Sequence, residues 1–185
     1  ARLERKVTLL QIAPVSRESA ASYASLQREI KLDVASVNSD YGDVDWVPIR
    51  FVTKPFKRET LAGFYRVARV GLIAPLRDGM NLVAKEYVAA QDPEDPGILI
   101  LSRFAGAASE FDDAILVNPF DMDEVGDEIA RALTMPLDER KDRWQRMMAK
   151  LEANPLASWS DRFLSELRRT GAPAATAGEE IARPV

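Results

Sequence analysis

Neither cysteine nor histidine occurs among the 185 residues of this sequence. Without cysteine the chain forms no disulfide and offers no thiolate nucleophile. Without histidine it cannot supply a Ser-His-Asp triad, a histidine-ligated zinc site or the commonest general base. Any chemistry that this chain carries therefore depends on carboxylates, cationic side chains and backbone dipoles.

Long apolar segments and an excess of basic charge are also absent. No apolar run approaches the roughly 18 residues of a membrane span, and the N-terminus lacks the apolar core of a signal peptide. The formal net charge of −4 argues against a surface that binds nucleic acid or an anionic membrane. With 46% hydrophobic and 29% charged residues, the composition is that of a globular domain, which we expect in the cytoplasm.

Short apolar segments alternate with amphipathic ones along the chain. This alternation predicts strands joined by helical crossovers, and hence a Rossmann-like α/β fold with helices on both faces of a parallel sheet. The run Lys6–Ala13 predicts a strand buried on both faces. Further strands are predicted at Trp46–Val52, Val70–Ala74, Gly97–Ser102 and Ala114–Val117, and helices at Ser19–Val37, Arg58–Ala68, Leu82–Ala90, Ala105–Glu110, Asp123–Thr134, Leu137–Leu151 and Ser158–Arg169. The predicted domain covers residues 1–169, and residues 170–185 read as a disordered tail.

The segment Arg77–Tyr87 gives the clearest indication of a ligand site. A strand ends in a turn that contains Asp78 and Gly79, and an amphipathic helix begins directly afterwards. The N–H groups of a first helical turn lack intrahelical partners, and the helix dipole there favours an anion such as phosphate. Gly79 lets a ligand approach the backbone, and Glu86, about two turns along the helix, could accept hydrogen bonds from a ribose. A surface turn followed by a solvated helix explains these few residues equally well.

Other candidates follow the neighbouring strands, whose carboxyl ends meet at one edge of a parallel sheet. Arg17 offers a guanidinium group that suits phosphate geometry, although a solvent-facing loop arginine is the simpler interpretation. Phe56 offers an aromatic ring that suits a base, and Arg58 offers a cation that suits a phosphate. Phe56 fits packing at the start of a helix equally well, and Arg58 fits an ordinary surface charge. The small residues of Ser102–Ala108 either admit a substrate close to the backbone or pack a short helix, and packing is the favoured interpretation.

Four segments together resemble the trehalose-6-phosphate synthases, which are retaining, UDP-forming glycosyltransferases. These segments are Gln11–Arg17, Pro75–Gln91, Leu101–Ala108 and Val117–Asp121. The resemblance implies one lobe of the two-lobed GT-B architecture, namely the C-terminal lobe that binds the nucleotide sugar. The N-terminal lobe, which makes most contacts to the acceptor sugar, would lie outside this chain.

The resemblance also implies a role for individual residues. Asp78 would hold hydroxyls of the donor glucose, and Leu82 and Val83 would donate backbone N–H groups to the diphosphate. Glu86 would bind the uridine ribose, and Arg17 would face the phosphate of glucose 6-phosphate. The implied donor-binding residues are Phe56, Arg58, Asp78, Gly79, Met80, Asn81, Leu82, Val83 and Glu86, and the implied catalytic residues are Asp78 and Arg17.

The implied reaction transfers glucose from UDP-glucose to glucose 6-phosphate, giving trehalose 6-phosphate, without a metal or a cofactor. This chain would supply the donor-binding half and would be inactive without the N-terminal lobe; a homo-oligomer is compatible with the sequence. Two alternatives stay open. One is a related transferase with another acceptor, such as a glucosylglycerol-phosphate synthase or a cyclitol pseudo-glycosyltransferase. The other is a catalytically silent module that serves assembly or regulation.

Overall fold

A computed structural model describes residues 5–14 and 21–171 of the chain. Most of the predicted tail, from residue 172 onward, lies outside the described residues. The chain divides into two compact units, Ala1–Leu61 and Ala62–Val185. Among the helices in the described ranges, none combines the length and the apolarity that crossing a bilayer requires.

The first unit contains two parallel strands and a long helix. Strand β1 pairs with β2 in a register that runs from Leu9 opposite Ile49 to Ile12 opposite Val52. Asn38 ties the helix to β2, because its side chain donates to the Ile49 carbonyl over 2.9 Å and accepts from the Ile49 N–H over 3.0 Å. The elements are β1 (Leu9–Ile12), α1 (Ala21–Tyr41), β2 (Ile49–Val52) and the start of α2 (Arg58–Val67).

The expectation that the first strand is buried on both faces is wrong. Leu9 and Leu10 keep 42% and 39% of their surface exposed. In this unit α1 packs against β2, and β1 lies at the edge of a two-stranded sheet, where it has few neighbours to cover it. A continuous apolar run indicates a strand here, but it does not establish what covers that strand.

The second unit is built on a three-stranded parallel sheet in the order β3–β4–β5, with β4 in the centre. All five residues of β4 are buried, and the first four alternate between two apolar clusters. Leu99 and Leu101 face a cluster that includes residues of α3 and α5, whereas Ile98 and Ile100 face residues of α4. Both faces of this sheet are therefore covered by helices, as predicted. The elements are β3 (Val70–Ile73), α3 (Leu82–Ala90), β4 (Ile98–Ser102), a 3-10 helix (Gly106–Ser109), β5 (Ile115–Val117), α4 (Met122–Thr134), α5 (Leu137–Ala153) and α6 (Leu156–Gly171).

Tyr87 anchors helix α3 on the sheet. A Cβ placed on Gly71 of β3 would come within 2.7–2.8 Å of the Tyr87 ring, so the missing side chain makes room for that ring. The Tyr87 hydroxyl donates to the Ala68 carbonyl over 3.0 Å, and a Cβ on Gly97 would overlap that same hydroxyl. Burial raises the pKa of Tyr87 well above its ordinary value, so the hydroxyl stays protonated as a donor. The helix thus lies close to β3 because two glycines flank one aromatic side chain.

Gln91 joins the end of α3 to two neighbouring segments. Its buried amide group donates to the carbonyls of Tyr65 over 2.6 Å and Tyr87 over 3.2 Å, and accepts from the Gly97 N–H over 2.7 Å. A buried amide that satisfies its hydrogen-bonding capacity specifies one arrangement of the groups it links. Gln91 consequently fixes the C-terminal end of α3, and Tyr87 fixes its middle.

We predict that Gly97→Ala destabilises the second unit. The added methyl group would overlap the Tyr87 hydroxyl and the Ala68 carbonyl, and the backbone carbonyl cannot rotate away. Overpacking of this kind costs about 1–3 kcal/mol of unfolding free energy, which urea denaturation measures. The matched control is Gly63→Ala in α2, where the new Cβ meets no atom within 4 Å. Equal unfolding free energies for Gly97→Ala and the wild type would contradict this packing.

Asp113 connects the segment before β5 to helix α5. Its carboxylate accepts from Arg146 over 2.5 Å and from Lys150 over 2.8 Å. Burial alone would raise the pKa of Asp113, but the hydrogen bonds from Lys150 and Arg146 outweigh it and hold the pKa below its ordinary value of 3.8. The folded state therefore binds the proton of this carboxyl group less tightly than the unfolded state does.

This depressed pKa predicts an acid-sensitive contribution to stability. The contribution is fully present above the unfolded pKa and is lost as the pH falls through the lower, folded pKa. Asp113→Asn should thus lower the thermal midpoint at about pH 7, and the difference from the wild type should shrink toward zero near pH 2. Asp127→Asn on α4, an exposed position, serves as the control. A difference for Asp113→Asn that does not change with pH would show that its ion pairs contribute nothing.

Candidate functional site

The turn between β3 and α3 is closed by the side chain of Asp78. One carboxylate oxygen accepts from the Met80 N–H over 3.1 Å, and the other accepts from the Asn81 side-chain amide over 3.0 Å. Asp78 is half-buried, whereas Gly79 and Met80 are exposed. The carboxylate is thereby held at the edge where strand β3 ends, with part of its surface open to solvent.

Asn81 caps helix α3 from a left-handed backbone conformation. Its φ is 69° and its ψ is 81°, a region in which asparagine is among the few tolerated non-glycine residues. Its side-chain oxygen accepts from the Ala84 N–H over 2.9 Å, and the residue is buried. Asp78, Asn81 and Ala84 therefore form one chain of hydrogen bonds that determines the direction in which the helix begins.

The N–H groups of Leu82 and Val83 lie at the open end of α3. Both residues are exposed, and within the part of the chain that the structure describes neither N–H group donates a hydrogen bond. These two N–H groups lie at the positive end of the helix dipole. An anion placed there would accept two hydrogen bonds and would be stabilised by the field of the dipole. The geometry thus suits a phosphate group in front of Leu82 and Val83.

Backbone contacts hold this turn against the segment that follows β4. The Asp78 N–H donates to the Phe104 carbonyl over 3.2 Å, the Gly106 N–H donates to the Asp78 carbonyl over 3.0 Å, and the Ala107 N–H donates to the Met80 carbonyl over 2.8 Å. These contacts support the interpretation of Ser102–Ala108 as a closely packed segment. What it packs against is the turn between β3 and α3.

Glu86 is exposed on α3, and because the helix begins at Leu82 it lies about one helical turn along it, not the two turns predicted. In the described residues its carboxylate forms no hydrogen bond or ion pair, whereas the preceding Lys85 is paired with Glu110 over 2.8 Å. Burial, and then the negative charge of Glu86, raise the pKa of Tyr65 above its ordinary value. Glu86 is available to accept hydrogen bonds from a ligand.

The structure brings together most, but not all, of the predicted site residues. Arg17 lies outside the described residues. Phe56 is half-buried and Arg58 is exposed at the start of α2, and both belong to the first unit. The residues that meet around the start of α3 are Asp78, Gly79, Met80, Asn81, Leu82, Val83 and Glu86.

Sequence reasoning missed three features of this region. Asn81 acts through its side chain as a helix cap, and the preference of asparagine for that position was a usable signal. Phe104 and Phe120 form an exposed aromatic pair beyond the ends of β4 and β5, with ring centroids 6.0 Å apart. Gly106 contacts the Gly79 backbone, and neither this contact nor the aromatic pair has a local sequence signal, because the partners are distant in the chain.

Comparison with known proteins shows close relatives. The trehalose-6-phosphate synthase of Sinorhizobium fredii (strain NBRC 101917 / NGR234) is 51% identical over 162 residues, which are 88% of this chain and 35% of the relative. That of Enterobacter sp. (strain 638) is 47% identical over 165 residues, or 89% of this chain and 35% of the relative. This chain thus spans about a third of the length of the curated relatives that it matches.

Solved structures of trehalose-phosphate synthases also match this chain. A UDP-forming α,α-trehalose-phosphate synthase from Burkholderia xenovorans in complex with glucose-6-phosphate matches with a TM-score of 0.86 at 47% identity, over 89% of this chain and 36% of that one. A structure from E. coli bound with UDP-2-fluoro glucose matches with a TM-score of 0.87 at 44% identity, over 90% of this chain and 37% of that one. These matches confirm the predicted fold class, one α/β lobe of a GT-B enzyme. The family model for glycosyltransferase family 20 matches residues 1–169, and the chain therefore belongs to that family.

Proposed function

We propose that this chain supplies the nucleotide-sugar half of a trehalose-6-phosphate synthase, which transfers glucose from UDP-glucose to glucose 6-phosphate. The observation that carries the proposal is the start of α3. There the Asp78 carboxylate is fixed within the turn, and the N–H groups of Leu82 and Val83 and the carboxylate of Glu86 have no hydrogen-bond partner among the described residues. The donor-binding domain would cover residues 1–169. The proposal includes an N-terminal lobe for the acceptor, operation in the cytoplasm, and no metal or cofactor.

The diphosphate of the donor is proposed to bind in front of Leu82 and Val83. Their N–H groups supply hydrogen bonds to its oxygens, and the helix dipole stabilises its charge. A Cβ built on Gly79 meets no atom of the protein within 4 Å, so packing does not require a glycine there. The open space beside Gly79 supports the proposal, because a ligand can lie directly against that backbone.

The glucose unit is proposed to bind Asp78. An ionised carboxylate has about four acceptor positions, and the Asp78 carboxylate uses two of them within the protein, for Met80 and Asn81. The remaining positions can accept hydrogen bonds from two sugar hydroxyls. Because the bonds within the turn fix the carboxylate before substrate arrives, the sugar would bind to a preorganised group.

The remaining contacts of the donor and the acceptor complete the proposal. Glu86 would accept hydrogen bonds from the ribose of UDP, and its lack of a partner among residues 5–14 and 21–171 supports this role. The family resemblance supports a place for Phe56 at the uracil, for Arg58 near the phosphates and for Arg17 at the phosphate of glucose 6-phosphate.

In the reaction, the bond between the glucose carbon and the diphosphate breaks, and the same carbon forms a bond to a hydroxyl oxygen of glucose 6-phosphate. Negative charge develops on the departing UDP, whose phosphate oxygen takes up the proton of that hydroxyl. The start of α3 would stabilise that charge with dipoles that are already oriented, so little reorganisation is needed at the transition state. Asp78 would hold the sugar in place while the acceptor approaches, and Arg17 would place the acceptor by its phosphate. A catalytically silent module is disfavoured, since the exposed Glu86 forms no hydrogen bond or ion pair within the described residues that would give it a structural role.

Glu86→Ala should weaken the binding of UDP. Loss of a charge-assisted contact to two hydroxyls should cost roughly 1.5–3 kcal/mol, or about 10-fold to 150-fold in dissociation constant. Isothermal titration calorimetry measures the effect. Glu152→Ala, at an exposed glutamate of α5, provides the matched control and should bind UDP as the wild type does. Equal affinities of Glu86→Ala and the wild type would refute the ribose contact.

Substitution of Asn81 should separate its backbone role from its capping role. Asn81→Ala loses the cap and places an alanine at positive φ, so we expect a loss of roughly 1–3 kcal/mol in unfolding free energy. Asn81→Gly also loses the side-chain cap but tolerates the left-handed conformation, so its loss should be clearly smaller. Chemical denaturation of both variants checks the order. Equal losses for the two variants, or a larger loss for Asn81→Gly, would contradict the left-handed conformation of Asn81 in this turn.

A further inference from the structure

We propose that Gly106 is a positioning residue of the nucleotide-sugar site. Its role would be to let the segment after β4 lie close enough to support the turn that carries Asp78 and leads into α3. This inference rests on the proposed function, since it concerns how precisely that site is held. Gly106 itself need not touch the substrate.

The first step is that the two segments act as one backbone unit. The Gly106 N–H donates to the Asp78 carbonyl over 3.0 Å, and the neighbouring Ala107 N–H donates to the Met80 carbonyl over 2.8 Å. An isolated parallel bridge also joins Asp78 to Ala105, so the pairing of β3 with β4 continues into the ligand-facing turn. The turn is therefore supported along its length by main-chain hydrogen bonds.

The second step is that only a residue without a side chain fits at this contact. A Cβ on Gly106 would overlap the Gly79 carbonyl oxygen and would lie 2.8 Å from the Gly79 carbonyl carbon and 3.1 Å from the Met80 Cα. All three atoms belong to the backbone, so no side-chain rotation relieves the overlap. Gly106 has no positive φ, which means that space and not backbone conformation requires the glycine.

The third step compares Gly106 with the other glycines of the described residues. At Gly71 and Gly97 an added Cβ would meet Tyr87, which packs in the middle of α3. At Gly63 and Gly126 it would meet no atom within 4 Å. Among the glycines in the described part of the chain, Gly106 is thus the one whose Cβ would strike the turn between Asp78 and Met80.

A side chain at position 106 would consequently displace the site. To relieve the overlap, the two backbones must separate by a distance on the order of 1 Å, and a misplacement of this size can reduce catalysis about 100-fold. The displacement would move the Gly79 backbone and the N–H groups that follow it, where the diphosphate is proposed to bind. Glu86, farther along α3, would be affected less.

The test compares UDP with uridine, which lacks the diphosphate. We expect Gly106→Ala to raise the dissociation constant for UDP at least tenfold and to leave that for uridine within about twofold of the wild type. Gly126→Ala on α4 is the matched control and should change neither constant. Titration calorimetry measures UDP directly and uridine by competition, and a thermal scan verifies that each variant is folded.

A second measurement needs no variant. If the two segments form one unit, UDP should slow amide hydrogen exchange at Gly106 and Ala107 as well as at Leu82 and Val83. Protection confined to Leu82 and Val83 would overturn the positioning role. So would a wild-type UDP affinity in Gly106→Ala, or an equal loss of affinity for UDP and uridine, which indicates general damage to packing.

The outcomes distinguish this inference from the proposed function. If Glu86→Ala weakens UDP binding but Gly106→Ala does not, the nucleotide-sugar site stands and the positioning role fails. If the wild-type protein does not bind UDP, both fail together. If both variants weaken UDP binding and only Glu86→Ala weakens uridine binding, both proposals are supported and the diphosphate and ribose contacts are separable.

Discussion

The close approach of helix α3 to strand β3 is the constraint on which the candidate site depends. Tyr87 lies where Gly71 and Gly97 leave space, and its hydroxyl donates to the Ala68 carbonyl. With the helix held there, its first turn opens at the carboxyl end of the sheet, where ligands of doubly wound α/β folds bind. Packing that stabilises the fold therefore also presents the free N–H groups at the start of α3.

Two sets of hydrogen bonds fix the turn in front of the helix. The side chains of Asp78 and Asn81 close that turn, and the backbone of the segment after β4 supports it from behind. Donors and acceptors fixed in this way do not have to be reorganised when a charged ligand arrives, which is the property that electrostatic catalysis requires. The site is consequently a product of main-chain geometry as much as of its few polar side chains.

The sequence predicted the elements of the second unit well, because strong local signals agree there. The bounds of α3, Leu82–Ala90, match the prediction, and the apolar run before Ser102 forms a strand buried on both faces. The helix predicted to end at Val37 continues in the structure to Tyr41 and ends before Gly42, a residue type that is common directly after helix C-termini. Contacts such as that of Gly106 with Gly79 join residues far apart in the chain, and no local pattern reports them.

A crystal structure of the protein with UDP bound tests the central claim most directly. The structure predicts diphosphate oxygens at hydrogen-bond distance, about 2.7–3.2 Å, from the backbone nitrogens of Leu82 and Val83. It also predicts the two ribose hydroxyls on the Glu86 carboxylate. A diphosphate bound elsewhere on the chain, with water alone in front of Leu82 and Val83, would contradict the assignment of this helix start as the donor site.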